Sequence, residues 1–316
     1  MTYLGIDVGK SELHCALLQD EGWHRNSFPN SQKGLAKLRS WLRNRRVKQL
    51  HACMEATGGL SEPLGEFLAD CGFTVSIVNP FAIKAFGQSE LSRTKTDKAD
   101  AALIARYAAA MHPQPWQPPS VPERHLRQLV RRRMDLVAMS TQEQNRLEGP
   151  GTEAARRSLE ASIVFLKTQI GEIDREIQRA IDQDPDLRNK QELLESIPGI
   201  GPITSAALLG EVPHLDRMSS SKALVALAGL CPQHRQSGTS MNSSRLTSLG
   251  RRSIRHLLFL PAMAARRKNP VIQALAKRML ARGKAPMQVM VAAMRKLLVL
   301  AYGVLRSGRR FEPNWA

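Results

Sequence analysis

Asp7 in Gly5-Ile6-Asp7-Val8-Gly9-Lys10, Glu55 in Cys53-Met54-Glu55-Ala56-Thr57-Gly58, and the pair Asp97 and Asp100 in Lys95-Thr96-Asp97-Lys98-Ala99-Asp100-Ala101 are the residues whose types and spacing could do chemistry. Asp7 follows an apolar run and precedes Gly9, so its carboxylate would emerge at a strand end where backbone can approach a ligand. Glu55 closes another short strand. Asp97 and Asp100 stand at i and i+3 in a first helical turn and share one face. Carboxylates from two strand ends and one helix start could hold two Mg²⁺ ions about 3.5–4 Å apart, the arrangement that stabilises attacking and leaving oxygens in phosphoryl chemistry. Hard oxygen ligands favour Mg²⁺ or Mn²⁺ over zinc. Each residue also has a plainer reading. Asp97 could cap its helix, Glu55 could be a surface acid, and Asp7 followed by Gly9 could be a turn.

The rest of the chain says what such a site would act on. Its 316 residues carry 46 Lys+Arg against 28 Asp+Glu, a net charge of +18. That excess is the electrostatic footprint of a phosphate-backbone binder; a basic surface kept for solubility, or attraction to anionic lipid, is the blander alternative. Cys15, Cys53, Cys71 and Cys231 show no CxxC spacing, which argues against structural zinc; Cys15, Cys53 and Cys71 read as small apolar core residues, and a reducing cytoplasm fits. Met1-Thr2-Tyr3-Leu4-Gly5 begins a strand without a charged leader, so no signal peptide is expected. The longest apolar stretches, such as 257–265, read as too short to span a bilayer, and no membrane partner is expected.

The elements that would position the acids follow from periodicity. Apolar runs predict strands over 2–8 and 12–18, with a third near 24–28. Leu35, Leu38, Trp41 and Leu42 predict a helix over 32–45. Strand 50–55, helix 60–70 and strand 73–78, closed by Asn79-Pro80, complete an α/β layer with helices on a mixed sheet. A helix over 97–110 places Leu103, Ile104 and Tyr107 on one side. Five prolines between His112 and Pro122 predict an extended spacer. Beyond it, a helix over 123–147 carries Arg124, Arg127, Arg131, Arg132 and Arg133. A second long helix shows Leu159, Ile163, Leu166, Ile170, Ile173 and Ile177 alternately four and three apart, a coiled-coil seam. An antiparallel hairpin results, its seam used for dimerisation or packed on its own domain. From Leu193 the chain reads as helical, with helices over 204–209, 222–227, 253–267 and 287–305. The expected domains are 1–111, 112–190 and 191–316.

Two further motifs bear on nucleic acid. Ile197-Pro198-Gly199-Ile200-Gly201-Pro202 before an apolar helix looks like a helix-hairpin-helix turn. Gly199 and Gly201 would let backbone N–H groups meet a phosphate at a helix N-terminus, or would serve packing alone. Residues 231–250 form a polar, serine-rich loop. A serine there could attack phosphorus, with Arg235 or Arg245 supporting the charge, or its hydroxyls could only bind phosphate. Composition does not choose among Ser237, Ser240, Ser243, Ser244 and Ser248.

Gly5-Ile6-Asp7-Val8-Gly9 resembles the first phosphate loop of actin-like ATPases, but no further glycine-rich nucleotide loops follow. Over nearly its whole length the chain instead resembles the DEDD-type insertion-sequence transposases of the "one-ten" family, which include bridge-RNA-guided recombinases. GIDVGK, CMEATGG, VNPFAIKAFGQSE, RTKTDKADA, ESIPGIG, LAGLCP, QSG and MRKLLVLAYGVLRSG carry the resemblance in order and spacing. It implies a RuvC-like, RNase H-type N-terminal domain, a helical coiled-coil hairpin and a mainly α C-terminal transposase domain. Asp7, Glu55, Asp97 and Asp100 would bind Mg²⁺ or Mn²⁺. Ser237 of Gln236-Ser237-Gly238 would attack a DNA phosphodiester, form a phosphoserine link and release a 3′ hydroxyl. The family usually shows Lys where Ser248 stands here; Arg251 and Arg252 follow closely. Implied partners are donor and target DNA, a structured non-coding guide RNA, and further copies of the chain in a homodimer or homotetramer, in the cytoplasm of a bacterium at its nucleoid. The rival readings are a RuvC-like endonuclease without a covalent intermediate and an inactive nucleic-acid-binding scaffold.

Overall fold

A computed structural model of the protein describes residues 1–19, 22–57, 59–90, 97–237, 241–246 and 250–313. The chain divides into two compact units, Met1–Pro118 and Pro119–Ala316.

The first unit is built on strands β1 (Thr2–Val8), β2 (Glu12–Gln19) and β3 (Gly22–Pro29), then helix α1 (Gln32–Asn44), strand β4 (Leu50–Glu55), helix α2 (Ser61–Asp70) and strand β5 (Thr74–Val78). Helices α3 (Pro80–Ser89) and α4 (Asp97–Met111) follow. The sheet order is β3-β2-β1-β4-β5; β2 runs antiparallel to β1 and β3, while β4 and β5 run parallel to β1. An antiparallel three-strand meander continued by parallel crossovers is the RNase H-type arrangement. Alternation along β1 sends Leu4, Ile6 and Val8 to one face and Tyr3, Gly5 and Asp7 to the other. The first set joins Leu13, Leu17, Leu38, Leu42, Leu64 and Leu68 in a core under α1 and α2. The other face is covered by α4, whose Ile104 and Ala108 bury Cys53 together with Ile83 of α3.

Helix α3 was not foreseen, because Asn79-Pro80 reads as a stop. Here it is a start: the Asn79 side chain accepts from the Phe81 N–H at 2.9 Å, and Pro80 takes the first helical position.

The proline-rich run is extended, as expected, but it is no free spacer. The Trp116 N–H donates to the Val75 carbonyl at 2.7 Å, and its ring joins the core. Ser76 Oγ lies 2.8 Å from the Gln114 carbonyl and 3.1 Å from that of Pro113. His51 Nε2 stands 2.8 Å from the same hydroxyl, and Tyr3 Oη lies 3.2 Å from His112 Nδ1. Burial first, then the neighbouring His112, holds the His51 imidazole below its ordinary pKa. The unfolded chain therefore binds the proton more readily, so this contribution to stability is present above about pH 6.5 and is lost as the pH falls below it. Thermal melts of the first unit should drop between pH 7 and pH 5, and His51→Gln should flatten that dependence. An unchanged slope would contradict the assignment.

The second unit opens with α5 (Val121–Leu147), started by a Ser120–Glu123 capping box, and α6 (Glu153–Asp182). The two helices form the expected hairpin. Ile163, Leu166 and Ile177 are buried and Leu159, Ile170 and Ile173 half-buried, so the seam closes within the chain. Helices α7 (Pro185–Glu195), α8 (Pro202–Glu211) and α9 (Ser221–Leu227) follow. The polar segment expected as a loop instead contains an antiparallel hairpin of β6 (Pro232–Ser237) and β7 (Met241–Leu246). Helices α10 (Arg252–Lys268), α11 (Pro270–Ala281) and α12 (Pro286–Ser307) complete the unit. Among the described residues, α12 is long and apolar enough to cross a membrane by length and composition. Val289, Ala293, Leu297, Leu298, Ala301 and Val304 of α12 are buried in the unit's core.

Candidate nucleic-acid processing site

The backbone brings two of the four predicted acids to neighbouring strand ends in the first unit and seats the helix turn that bears a third against the same strand. β1 and β4 pair in parallel with Ile6 opposite Met54, so Asp7 and Glu55, each one step on, end neighbouring strands side by side. Cys53 lies under α4, and alternation puts Glu55 on that same face. Gly5 shows how closely the helix sits. A Cβ there would lie 2.0 Å from the Ala101 carbonyl oxygen and 2.4 Å from the Ala105 nitrogen. On the next strand Ala16 packs against Ala101 and Ala102. Small residues on both sides thus seat the first turns of α4 on the sheet, two residues before Asp7. Asp100 immediately precedes Ala101 and is half-buried. Asp97 opens α4, but its side chain lies outside the described residues.

The register also adds a residue that the sequence reading passed over. His14 of β2 stands opposite Asp7, and Ser27 of β3 stands opposite His14. The His14 Nδ1 to Ser27 Oγ distance is 2.8 Å, and His14 Nε2 lies 3.7 Å from Glu12 Oε2. A polar row, Ser27–His14–Asp7–Glu55, therefore crosses the sheet at one level. Pairing across the Gly9–Ser11 turn was the available signal, since antiparallel strands joined there set residue 7 opposite residue 14.

Carboxylates are the right donors for Mg²⁺ or Mn²⁺, so the residue types fit a divalent ion of that class. Among the described residues, no three His, Cys, Asp or Glu side chains stand close enough together to hold one. Cys53 contributes no thiolate: burial, reinforced by the charge of Glu55, pushes its pKa up to about 12. Burial does the same to Cys15. Both are core residues, as expected.

In the second unit Ser237 ends β6 opposite Met241. Arg235 pairs with Ser243, Gln233 with Arg245 and His234 with Ser244. The side chains of Ser237, Arg235, Arg245, Ser243 and Ser244 lie outside the described residues, as do Gly238, Ser240 and Ser248 entirely.

The predicted basic contacts divide sharply. Arg127 is buried, Arg131 Nε donates to the buried Glu211 carboxylate at 3.1 Å, and Arg133 pairs with Asp174. Arg124 Nε donates to the Pro119 carbonyl at 2.8 Å. Arg251 donates to the Glu211 carbonyl at 2.9 Å. These arginines brace the fold; Arg132 and Arg252 are exposed. The glycines divide too. Gly199 has φ +107°, and a Cβ there would lie 2.6 Å from Ala265 Cβ, so it serves packing against α10. Gly201 caps α8 without a side chain and faces open space.

Comparison with known proteins places this geometry in context. Residues 4–149 match a DEDD-type transposase family, and residues 191–277 match the transposase IS116/IS110/IS902 family. The chain is 35% identical over 317 aligned residues to a pilin gene-inverting protein of Moraxella bovis, covering 99% of this chain and 98% of that one. It is 27% identical over 157 residues to an uncharacterized protein of insertion element IS110 from Streptomyces coelicolor, covering 50% of this chain and 38% of the relative. The solved structure of T. thermophilus RuvC with a Holliday junction substrate covers 37% of this chain and 99% of that one, at 16% identity. Its TM-score is 0.28, too low to carry a functional argument.

Proposed function

This chain belongs to the IS110 family of transposases, and from that premise we propose that it cuts and rejoins DNA through a composite site under RNA guidance. Its class is DNA transposase or recombinase. The observation that carries the finer reading is the pairing of Asp7 with Glu55 at adjacent strand ends, beneath the helix turn that bears Asp100. With Asp97 they would hold Mg²⁺ or Mn²⁺, which would neutralise charge on the scissile phosphate. Ser237 Oγ attacks phosphorus, the P–O3′ bond breaks, and the departing oxygen leaves as a 3′ hydroxyl carrying a proton. The phosphoserine link retains the energy of the diester, so rejoining requires no nucleotide triphosphate. Arg235 and Arg245, on the same hairpin as Ser237, would support the charge.

A guide RNA would supply sequence choice by base pairing, leaving the protein to read backbone and shape. The charge of +18 with only 5% aromatic residues suits that division. A homodimer or homotetramer would supply further copies of both halves of the site. Full-length similarity to a protein named for gene inversion favours a second reading, in which the same chemistry inverts a DNA segment instead of moving an element.

The test combines two readouts on protein purified with its native RNA. Denaturing gels after incubation with DNA and Mg²⁺ should show a covalent protein–DNA adduct that Ser237→Ala abolishes. Sequencing of bound nucleic acid should return one discrete RNA at near-stoichiometric level. Cutting by Ser237→Ala would sink the serine step, and the lack of a discrete RNA would sink guidance.

A further inference from the structure

The first unit carries a second concentration of charge that the reaction does not use. Helix α1 bears Lys33, Lys37, Arg39 and Arg43 and no Asp or Glu, and Arg45, Arg46 and Lys48 follow it directly. Lys33 with Lys37, and Arg39 with Arg43, stand at i,i+4, where like charges weaken a helix. Leu35, Leu38, Trp41 and Leu42 pack into the core on the other side, so the cations are held outward and exposed. A solvated surface helix kept for solubility would ordinarily intersperse acids. This one is purely cationic.

At its end the charge surrounds a concavity. A cleft of about 650 Å³ is lined by Arg39, Arg43, Arg46 and Lys48, with Asp70 its one acid and Phe73 part of its wall. Arg46 takes φ +55°, in the left-handed region, as the chain turns off the helix. The cleft lies where α1 and α2 finish and where β4 and β5 begin. Asp7 and Glu55 lie at the opposite ends of the strands, and α1 and α2 cover the opposite face of the sheet. The length of β4 alone separates the two places by roughly 15–20 Å. A phosphate in the cleft is therefore not the reacting one.

We propose that Arg39, Arg43, Arg46 and Lys48 form a docking site for the phosphodiester backbone of a folded nucleic-acid helix, remote from the phosphate being cut. Three guanidinium groups and an ammonium around one concavity match a run of backbone phosphates, which arginine can grip in bidentate fashion. No base recognition is involved, so the site is indifferent to sequence. It requires neither the metal nor Ser237.

The experiment measures binding in EDTA, so its failure is separable from failure of the cutting mechanism. Full-length protein and the variant Arg39→Gln/Arg43→Gln/Arg46→Gln are titrated by fluorescence anisotropy against a DNA duplex and an RNA hairpin of equal charge, from 50 to 300 mM salt. A control with equal loss of charge, Arg282→Gln/Arg309→Gln/Arg310→Gln, removes exposed arginines from the second unit. The cleft variant should lower the slope of log affinity against log salt by about 2–3 on its preferred ligand and weaken low-salt binding by about 10²-fold. Loss on RNA alone assigns the site to RNA, and loss on DNA alone assigns it to DNA; either supports the proposal. Unchanged slopes, or equal losses in the cleft variant and the control, overturn it. If the triple variant does not fold, Arg43→Gln replaces it, with a slope change of about 1 expected.

Discussion

Exchanging Asp7 for Asn leaves the protein folded and lowers metal-dependent DNA cleavage by about 10³-fold or more. Asn keeps the size of the side chain and one carbonyl oxygen, so the end of β1 loses no packing. It removes the negative charge beside Glu55, two residues beyond the seat of α4 on β1. If Asp7 serves to hold an ion, its charge contributes to cleavage and need not contribute to folding. The thermal midpoint of Asp7→Asn measured in EDTA should therefore equal or exceed that of the parent, as is common where a site trades stability for activity. Single-turnover cleavage with Mg²⁺ and circular dichroism melts read the two effects separately. A variant that cuts at the parental rate would exclude Asp7 from the reaction. One that cuts slowly but also melts early would make Asp7 a structural residue.

Adding one methyl group at Gly5 should do both kinds of damage together. The new carbon would stand 2.0 Å from a carbonyl oxygen and 2.4 Å from an amide nitrogen of α4. Both are backbone atoms, so no rotamer change relieves the clash and the helix must lift. Overpacking of this kind costs about 1–3 kcal/mol or more, a fall of roughly 5–15 °C in the melting of a unit this size. Because α4 carries Asp97 and Asp100, cleavage should fall with the midpoint, even at temperatures where Gly5→Ala is still folded. Melting curves and cleavage assays at 20 °C check this. Parental behaviour in both would mean that α4 is not seated on β1 as described.

How much of this was legible depended on whether local chemistry named its own partner. Strands with a buried face announced themselves, since Leu4-x-Ile6-x-Val8 alternation needs only a sheet with one covered side. Asn79-Pro80 misled because the same dipeptide that stops one element starts the next. At Asn79-Pro80 and again at Asn269-Pro270 the Asn side chain accepts from the new helix while Pro occupies its first turn. The β6–β7 hairpin was invisible to hydropathy, because Pro232-Gln233-His234-Arg235-Gln236-Ser237 has no apolar alternation. Charge was the least readable signal. A cation on a helix looks the same in sequence whether it faces solvent or a carboxylate such as Glu211, which lies 80 residues along the chain from Arg131. For the site itself, the acids could be named from strand ends, whereas His14 required the register.

The proline-rich segment along β5 has a practical meaning for anyone dividing this protein. β5 is the last strand of its sheet, and its outer rim is occupied by residues 113–116. A fragment ending at Met111 would strip the Val75 carbonyl and the Ser76 hydroxyl of these partners and uncover an edge strand, the template on which separate molecules zip into aggregates. Ending instead at Pro118 keeps those contacts, and with them the chance of handling the first unit alone.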